Sequence, residues 1–559
     1  MKWSTACLDW EKRIVAGESL IPLEPLFPEE AEAGLSVFKE LRIVDAPGSP
    51  MISESCAQWV FDFAAAVFGA YDSESGRRLI QEFFLLIPKK NSKSTIAAGV
   101  MLTALIRNWR ESAEFIILAP TKEIADNSFI PVRDMIRKND VLTDLLHIQE
   151  HTRTITHLNN NATLKVVAAD GDTVGGKKAV GILVDEAWLF GKKSKAEDII
   201  REATGGLASR PEGFVIFLTT QSNEPPAGIF KKKLMYARGV RDGRIDDNRF
   251  LPVLYEFPKH MIDAGEHKKP ENLKLVNPNL NYSVDSAFLE RGYKQALEDG
   301  ADSLIGFLAK HGNVEVGLAL LSNNWSGAEF WEQQSDVELS LEDIIAECEV
   351  IDIGIDGGGL DDLLGLYVIG RSRQTREWLG WGHAWAHESV LTRRKEIASN
   401  LMDFSEAGEL TIVKRVGDDT EGVAEIAYRI YSAGLLDKIG MDPAGIGGVL
   451  DALIERGIPQ ELIVGVSQGW RLGGAIKTLE RKLAEETFWH AHQSLMNWCC
   501  GNAKVEPRGN AILITKQASG NAKIDPLMAA FNAVSLLSEN PVASESVHDF
   551  MAAIRDPIL

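Results

Sequence analysis

A succession of short apolar runs, each followed by a polar loop and then a helical stretch, constrains this chain more than any other feature. Phe83-Phe84-Leu85-Leu86-Ile87 comes first, with a helix expected over Thr95 to Ile106. Glu114 to Ala119, Thr163 to Val167, Gly181 to Val184 and Gly213 to Leu218 follow. Such runs are too short for helices and too continuously apolar for strands with a wet face. They predict a mainly parallel sheet covered by helices on both sides. A second α/β series begins at Val350 to Ile355 and continues through Leu364 to Ile369, Leu410 to Val413 and Lys438 to Met441. It closes on a helix near Pro526 to Leu537.

A chain of 559 residues exceeds one ordinary core. The expected organisation is an N-terminal appendage over 1–50, ending in a turn at Pro47-Gly48-Ser49-Pro50, and a first α/β domain over 51–250. A polar helical connector over 251–345, interrupted by Asn277-Pro278-Asn279, then leads to a second α/β domain over 346–559. The net charge of −21 argues against indiscriminate nucleic-acid binding, yet allows weak local phosphate contacts. Candidate contacts are Lys177-Lys178, Lys192-Lys193 with Lys195, and Lys231-Lys232-Lys233 with Arg238 and Arg241; each reads equally well as solvated surface. Cys7, Cys56, Cys348, Cys499 and Cys500 are odd in number and lack C-x-x-C spacing, which suits reduced, buried thiols in a cytoplasm. No apolar run approaches the roughly 18–20 residues of a membrane span, and Met1-Lys2-Trp3-Ser4-Thr5 lacks the apolar core of a signal peptide.

Between the first strand and the first helix lies Pro88-Lys89-Lys90-Asn91-Ser92-Lys93-Ser94. A phosphate loop needs a strand, a tight turn of inward N–H groups, a lysine for the β- and γ-phosphates and a hydroxyl for Mg²⁺. Lys93 and Ser94 stand at that junction. Both glycines of the common form are missing, with Ile87 and Ser92 in their places, and a basic surface loop is the competing reading. Ile182-Leu183-Val184-Asp185-Glu186 then delivers two carboxylates to a strand end, Asp185 for Mg²⁺ through water and Glu186 to polarise the attacking water. A plain helix start is the alternative there. The tip Thr219-Thr220-Gln221-Ser222, after Phe217-Leu218, is suited to sensing the γ-phosphate; by itself it reads as a polar turn.

In order and type these elements resemble the large terminase subunit of tailed bacteriophages, of the HK97-like type. Its phosphate loop commonly reads Pro-Arg-Lys-Asn-Gly-Lys followed by Thr or Ser. Here Lys89 replaces the arginine and Ser92 the glycine, and serine tolerates positive φ less readily. The resemblance implies an N-terminal P-loop ATPase of the ASCE type that binds ATP through Lys89, Lys90, Asn91, Ser92, Lys93, Ser94 and Asp185. It also implies that Gln58, in Ala57-Gln58-Trp59, contacts adenine, and that Arg210, in Ala208-Ser209-Arg210-Pro211, serves a neighbouring subunit as a finger.

Two-metal phosphodiester hydrolysis needs carboxylates that converge from separate elements. Ile353-Gly354-Ile355-Asp356 ends a strand beside three glycines, Ile439-Gly440-Met441-Asp442 ends another, and Lys523-Ile524-Asp525-Pro526 opens the last helix. Alone, each acid reads as a turn residue or a cap. Together, behind a phosphate-loop domain, they give the layout of an RNase H-like nuclease. By resemblance Asp356, Asp442 and Asp525 hold two Mg²⁺ or Mn²⁺, with Asp362 as a fourth ligand and Asp361 as its rival. Asn277-Pro278-Asn279-Leu280, Asn323-Asn324-Trp325 and Gln468-Gly469 extend the likeness over about residues 55 to 540.

The function expected from this resemblance is an ATP-driven motor that moves double-stranded DNA into a procapsid and cuts concatemeric DNA. It would act as a homo-oligomeric ring on the portal protein, be recruited by a small terminase subunit, and work in the host bacterial cytoplasm without contacting a membrane. A helicase-nuclease of repair or defence, or a degenerate prophage DNA-binding protein, would share parts of the pattern. His383-Ala384-Trp385-Ala386-His387 lacks the glutamate of a zinc protease, and His490-Ala491-His492 is a lone pair; neither is read as a zinc site.

Overall fold

The computed structural model describes residues 3–169, 178–191, 196–316, 325–395, 397–442, 447–508, 511–516 and 523–543. They fall into two units, Met1–Val316 and Gly317–Leu559.

In the first unit, α1 (Pro28–Glu40) and α2 (Gln58–Phe68) precede β1 (Glu82–Leu86), which leads through the basic loop into α3 (Lys93–Ile106). Next come β2 (Glu114–Ala119), α4 (Lys122–Arg137), the hairpin β3 (Leu146–Gln149) and β4 (Thr154–His157), then β5 (Thr163–Ala168), β6 (Ala179–Val184) and β7 (Phe214–Thr219). The unit continues with α5 (Gly228–Arg241), β8 (Phe250–Leu254), α6 (Ser286–Glu298) and α7 (Ala301–Gly312). The strands form one eight-stranded sheet in the order β8-β1-β7-β6-β2-β5-β4-β3. From β8 to β5 every pairing is parallel, and β4 and β3 add an antiparallel edge. Residues of β6 and β7 are buried along their whole length, as strands covered on both faces must be. The apolar runs thus form the parallel sheet that their pattern predicts.

Three expectations of organisation need correction. Residues 1–50 are no appendage, because Trp10, Ile14, Leu20 and Phe38 are buried and the Arg241 guanidinium lies 3.8 Å from the centroid of the Trp10 ring. The span 251–345 is no separate connector. Phe250–Leu254 is the edge strand beside β1, residues up to Val316 belong to the first unit, and those from Gly317 onward belong to the second. Pro252 disguised that strand in the sequence, since proline is accepted only at a sheet edge, where this strand lies. The basic cluster at 231–241 is largely neutralised. Lys233 pairs with Glu82 and Lys232 with Glu197, and Arg238 and Arg241 clasp the buried Glu256 at 2.6 Å each. Lys177, Lys192, Lys193 and Lys195 lie outside the described residues.

In the second unit, α8 (Leu341–Glu347) leads into three long strands, β9 (Cys348–Gly357), β10 (Leu363–Ser372) and β11 (Trp378–His387), paired antiparallel in sequence. Then follow β12 (Leu410–Val413), α9 (Asp418–Ser432), β13 (Leu436–Met441), β14 (Ile463–Gly465), α10 (Gly473–Ala484) and β15 (Phe488–Ala491). A hairpin of β16 (Ala503–Arg508) and β17 (Ala511–Lys516) precedes α11 (Asp525–Leu537). Along the sheet the order runs β15-β11-β10-β9-β13-β14, with β13 parallel to β9 and β14 parallel to β13. An antiparallel trio joined to parallel strands through its first member is the RNase H-like arrangement. The apolar helix α11 crosses β9 and β10 in close contact. A β-carbon at Gly354 would strike the Ala529 carbonyl, and one at Gly365 would stand 2.6 Å from Pro526 N. The histidines set aside above sit in this unit. His383 and His387 lie on β11 and bond Thr411 and Ser389, and His490 stacks on Trp331.

One buried acid in β9 makes the unit's stability depend on pH. Asp352 is fully buried; its Oδ1 accepts from Lys438 N at 3.0 Å and its Oδ2 has no hydrogen-bond partner. Burial, then the neighbouring Asp437, pushes its pKa up to about 8. The native state therefore keeps a proton that the unfolded chain releases near pH ~4. Stability falls as pH rises from about 4 to about 8. Asp352→Asn should remove that slope and raise the melting temperature at about pH 8 while changing little at about pH 4. Calorimetry over this range checks it; equal slopes in both proteins would refute the assignment.

Candidate functional site

All parallel strands of the first sheet end on one edge, and their register sets the tips of β1, β7 and β6 side by side. Leu86 stands beside Thr219, and Val184 beside Phe217. The phosphate loop leaves β1 there and turns into α3. Ser92 adopts φ 54°, ψ 24°, and Lys90 has φ 74°. The loop thus demands the left-handed region at the very position where the sequence lacks glycine. Serine occupies it at a cost of about 1–2 kcal/mol. Ser92→Gly should keep full nucleotide affinity, whereas the β-branched Ser92→Val should lose at least about tenfold, read by titrating a fluorescent ATP analogue. Equal affinities for the two variants would remove the conformational argument.

Asn91 is fully buried and organises the loop. Its amide donates to the Pro88 carbonyl at 3.1 Å and to Asn277 Oδ1 at 2.8 Å, and its Oδ1 accepts from Asn279 N at 3.1 Å. Ser283 Oγ donates to the Lys90 carbonyl at 2.7 Å, and Lys89 N donates to the Lys310 carbonyl at 2.8 Å. Sequence reasoning noticed Asn277-Pro278-Asn279 without finding this role, because the contacts join residues 186 and 188 positions apart.

Behind the loop, the Lys93 ammonium lies 2.6 Å from Glu186 Oε1, both groups largely buried. Burial pushes the Glu186 carboxyl upward, but the Lys93 charge and hydrogen bonds outweigh it and hold the group below its ordinary range. Glu186 itself has φ 51°, a third strained residue at this edge after Lys90 and Ser92. Asp185 is fully buried; its Oδ2 accepts from Ser128 Oγ at 2.7 Å and its Oδ1 from Glu186 N at 2.9 Å. Burial, reinforced by Glu186, raises its pKa to about 6. Ser128, on α4, carried no signal in the sequence. Ser94 follows Lys93 in the first turn of α3.

The tip Thr219, Thr220, Gln221 and Ser222 is buried. Thr219 Oγ1 accepts from Trp188 N at 3.1 Å, Gln221 N donates to Asn313 Oδ1 at 3.0 Å, and the Gln221 carbonyl accepts from Lys310 Nζ at 2.8 Å. Two other candidates stand apart. Gln58, exposed at the start of α2, bonds Asp62, and it is its neighbour Trp59 that reaches Asn279 at 3.3 Å. Arg210 precedes β7, so it lies at the opposite edge of the sheet, roughly 20 Å of strand from its own phosphate loop.

Residues 59–239 match the family model of the terminase large subunit, ATPase domain. This segment is a large-terminase ATPase domain. The match covers the loop, the Asp185–Glu186 strand and the tip, the same elements that the geometry gathers. At the level of whole chains, the terminase large subunit of Lactococcus phage p2 is 22% identical over 485 residues, 83% of each chain. Protein YmfN of Escherichia coli is 21% identical over 340 residues, 59% of this chain and 72% of that one. The crystal structure of the HK97 bacteriophage large terminase superposes with a TM-score of 0.48 at 19% identity, covering 90% of this chain and 99% of the other.

The second unit gathers its acids at one sheet edge as well. Ile355 pairs with Met441 in parallel register, so Asp356 and Asp442 follow on neighbouring strand ends. Asp525 opens α11 nearby; a β-carbon at Gly357 would stand 3.1 Å from Asp525 Oδ1. Asp362 and Asp361 differ in their partners. Asp362 Oδ1 accepts from the buried Lys523 Nζ at 2.7 Å, whereas Asp361 is paired with Arg394 at 2.6 Å. Lys523 also donates to the Asp361 carbonyl, which ties the Asp361–Asp362 loop to the segment carrying Asp525. Among the described residues, no group of three His, Cys, Asp or Glu side chains stands at metal-holding distance, and none of the helices is long and apolar enough to cross a membrane.

Proposed function

We propose that this chain is the motor and endonuclease subunit of a phage DNA-packaging machine. The observation that carries the reading is the meeting of Lys93, Glu186 and Asp185 at the tip of a parallel sheet, inside the matched ATPase domain. Lys93 is paired with Glu186. ATP phosphates offer Lys93 a denser negative charge, and the exchange releases a Glu186 oxygen to accept a proton from the attacking water. Lys90, Asn91 and Ser92 would wrap the phosphates with backbone N–H groups, and Lys89, whose own N–H is taken by the Lys310 carbonyl, would add the positive charge of its side chain. Ser94 and Asp185 would hold Mg²⁺, which would supply charge stabilisation; the fully buried Asp185 carboxyl fits a site completed by a cation. The Thr219–Ser222 tip, tied to Asn313 and Lys310, carries the change outward. Gln58 as adenine contact and Arg210 as a finger offered to a neighbouring subunit are parts of the same proposal, and the far edge occupied by Arg210 keeps it away from its own phosphate loop.

In the other unit Asp356, Asp442 and Asp525, with Asp362 at the rim, would draw together around the metal as an all-oxygen donor set of the kind that suits Mg²⁺ or Mn²⁺. Two such ions would supply Lewis acidity and an activated water at the scissile phosphate of double-stranded DNA. The partnership with a small terminase subunit, the portal protein and a ring of like chains rests on kinship alone. A paired assay on the full chain tests the whole reading. Lys93→Ala should abolish DNA-stimulated ATP hydrolysis and spare Mn²⁺-dependent cleavage, and Asp356→Ala should do the reverse. ATPase activity surviving Lys93→Ala would overturn the motor assignment, and normal cutting by Asp356→Ala would overturn the nuclease assignment.

A further inference from the structure

Glu186 is held from two sides, and only one of the holders is explained by nucleotide binding. Oε1 faces Lys93, which ATP would draw away; Oε2 accepts from the Trp188 indole Nε1 at 2.6 Å, a bond that no phosphate competes for. The same tryptophan makes two further connections. Its backbone N–H donates to Thr219 Oγ1 at 3.1 Å, and the Lys310 ammonium lies 3.3 Å from its ring centroid while donating to the Gln221 carbonyl at 2.8 Å. One residue therefore touches the proposed water-activating carboxylate, the γ-phosphate-sensing tip and the helix α7 that abuts Lys89.

We infer that Trp188 is a positioning residue for hydrolysis, fixing the Glu186 carboxylate towards water once Lys93 has left it, and linking that carboxylate to the Thr219–Ser222 tip. The chemistry favours this division of labour. A carboxylate with one oxygen anchored to a fixed indole N–H can rotate little, so the basic lone pair of the other oxygen keeps one direction. A hydrogen bond to a charged group is short and strong, enough to hold that direction against thermal motion. The cation–π contact orients Lys310 as well, because the ring face sets where its ammonium sits relative to the Gln221 carbonyl.

The inference rests on Glu186 being the hydrolytic base, and the test separates the two. Trp188→Phe keeps an aromatic ring beneath Lys310 and deletes the N–H. Its kcat for ATP should fall at least about tenfold while KM for ATP stays within about twofold, since nucleotide binding does not use this bond. In a Glu186→Gln background the same substitution should cost nothing further. Trp188→Tyr, measured in parallel, provides a second variant with a ring, and the comparison uses whichever retains the wild-type melting temperature. A kcat within about twofold of wild type, or kcat and KM worsening together, would overturn the positioning role. Full hydrolysis by Glu186→Gln would overturn instead the assignment on which it rests.

Discussion

Glu186→Gln is expected to lower ATP turnover by roughly 10²–10⁴-fold while nucleotide binding persists or tightens. The carboxylate is the group on this sheet edge that pairs with Lys93 and faces the loop at once, so replacing it by an amide removes basicity without altering shape. The neutral amide would also hold the lysine less firmly than a carboxylate 2.6 Å away does, leaving Lys93 freer to meet phosphate. Stopped turnover with retained binding is the signature of an interaction needed only in the transition state. Steady-state ATPase rates and equilibrium titration with a fluorescent nucleotide measure the two quantities separately. Turnover near that of the unaltered chain would mean that the water is activated elsewhere.

Asp525→Asn is expected to reduce Mn²⁺-dependent DNA cleavage at least about a hundredfold and to leave ATP hydrolysis untouched, because the two sites are built in different units. Asp525 is almost fully buried at the start of α11, hard against Gly357. The amide preserves the packing and removes the charge that a divalent ion would require. Cleavage of plasmid DNA followed on a gel, with Asp361→Asn as a companion, gives the contrast. The Arg394 partner of Asp361 predicts a smaller loss for the companion. Equal rates for Asp525→Asn and the unaltered chain would place the catalytic ions elsewhere.

What could be read from the sequence was whatever the chain writes locally. Continuous apolar runs such as Ala179–Val184 announced buried strands, and the acids that close them, Asp185, Asp356 and Asp442, were visible because strand ends point them at one edge. Ser92 was visible too, since a missing glycine implies positive φ. Elements with mixed patterns were harder. Trp378–His387 alternates tryptophan, glycine and histidine and does not look like a central strand, yet it lies between β10 and β15. The supporting residues were hardest of all. Ser128, Asn279, Lys310, Asn313 and Lys523 act through partners from other elements, and no local pattern marks a polar side chain that closes a loop from afar.

The asparagine that braces the phosphate loop lies 186 residues further along the chain than the residue it holds. A ribosome adding roughly 5–20 residues per second takes about 10–40 s to cover that stretch. During that interval the sheet can begin to assemble from β1 to β7, but the loop's Asn91 and Lys90 lack the partners that later close over them. The braced form of the loop therefore arrives late in synthesis, once Asn277, Asn279 and Ser283 have emerged.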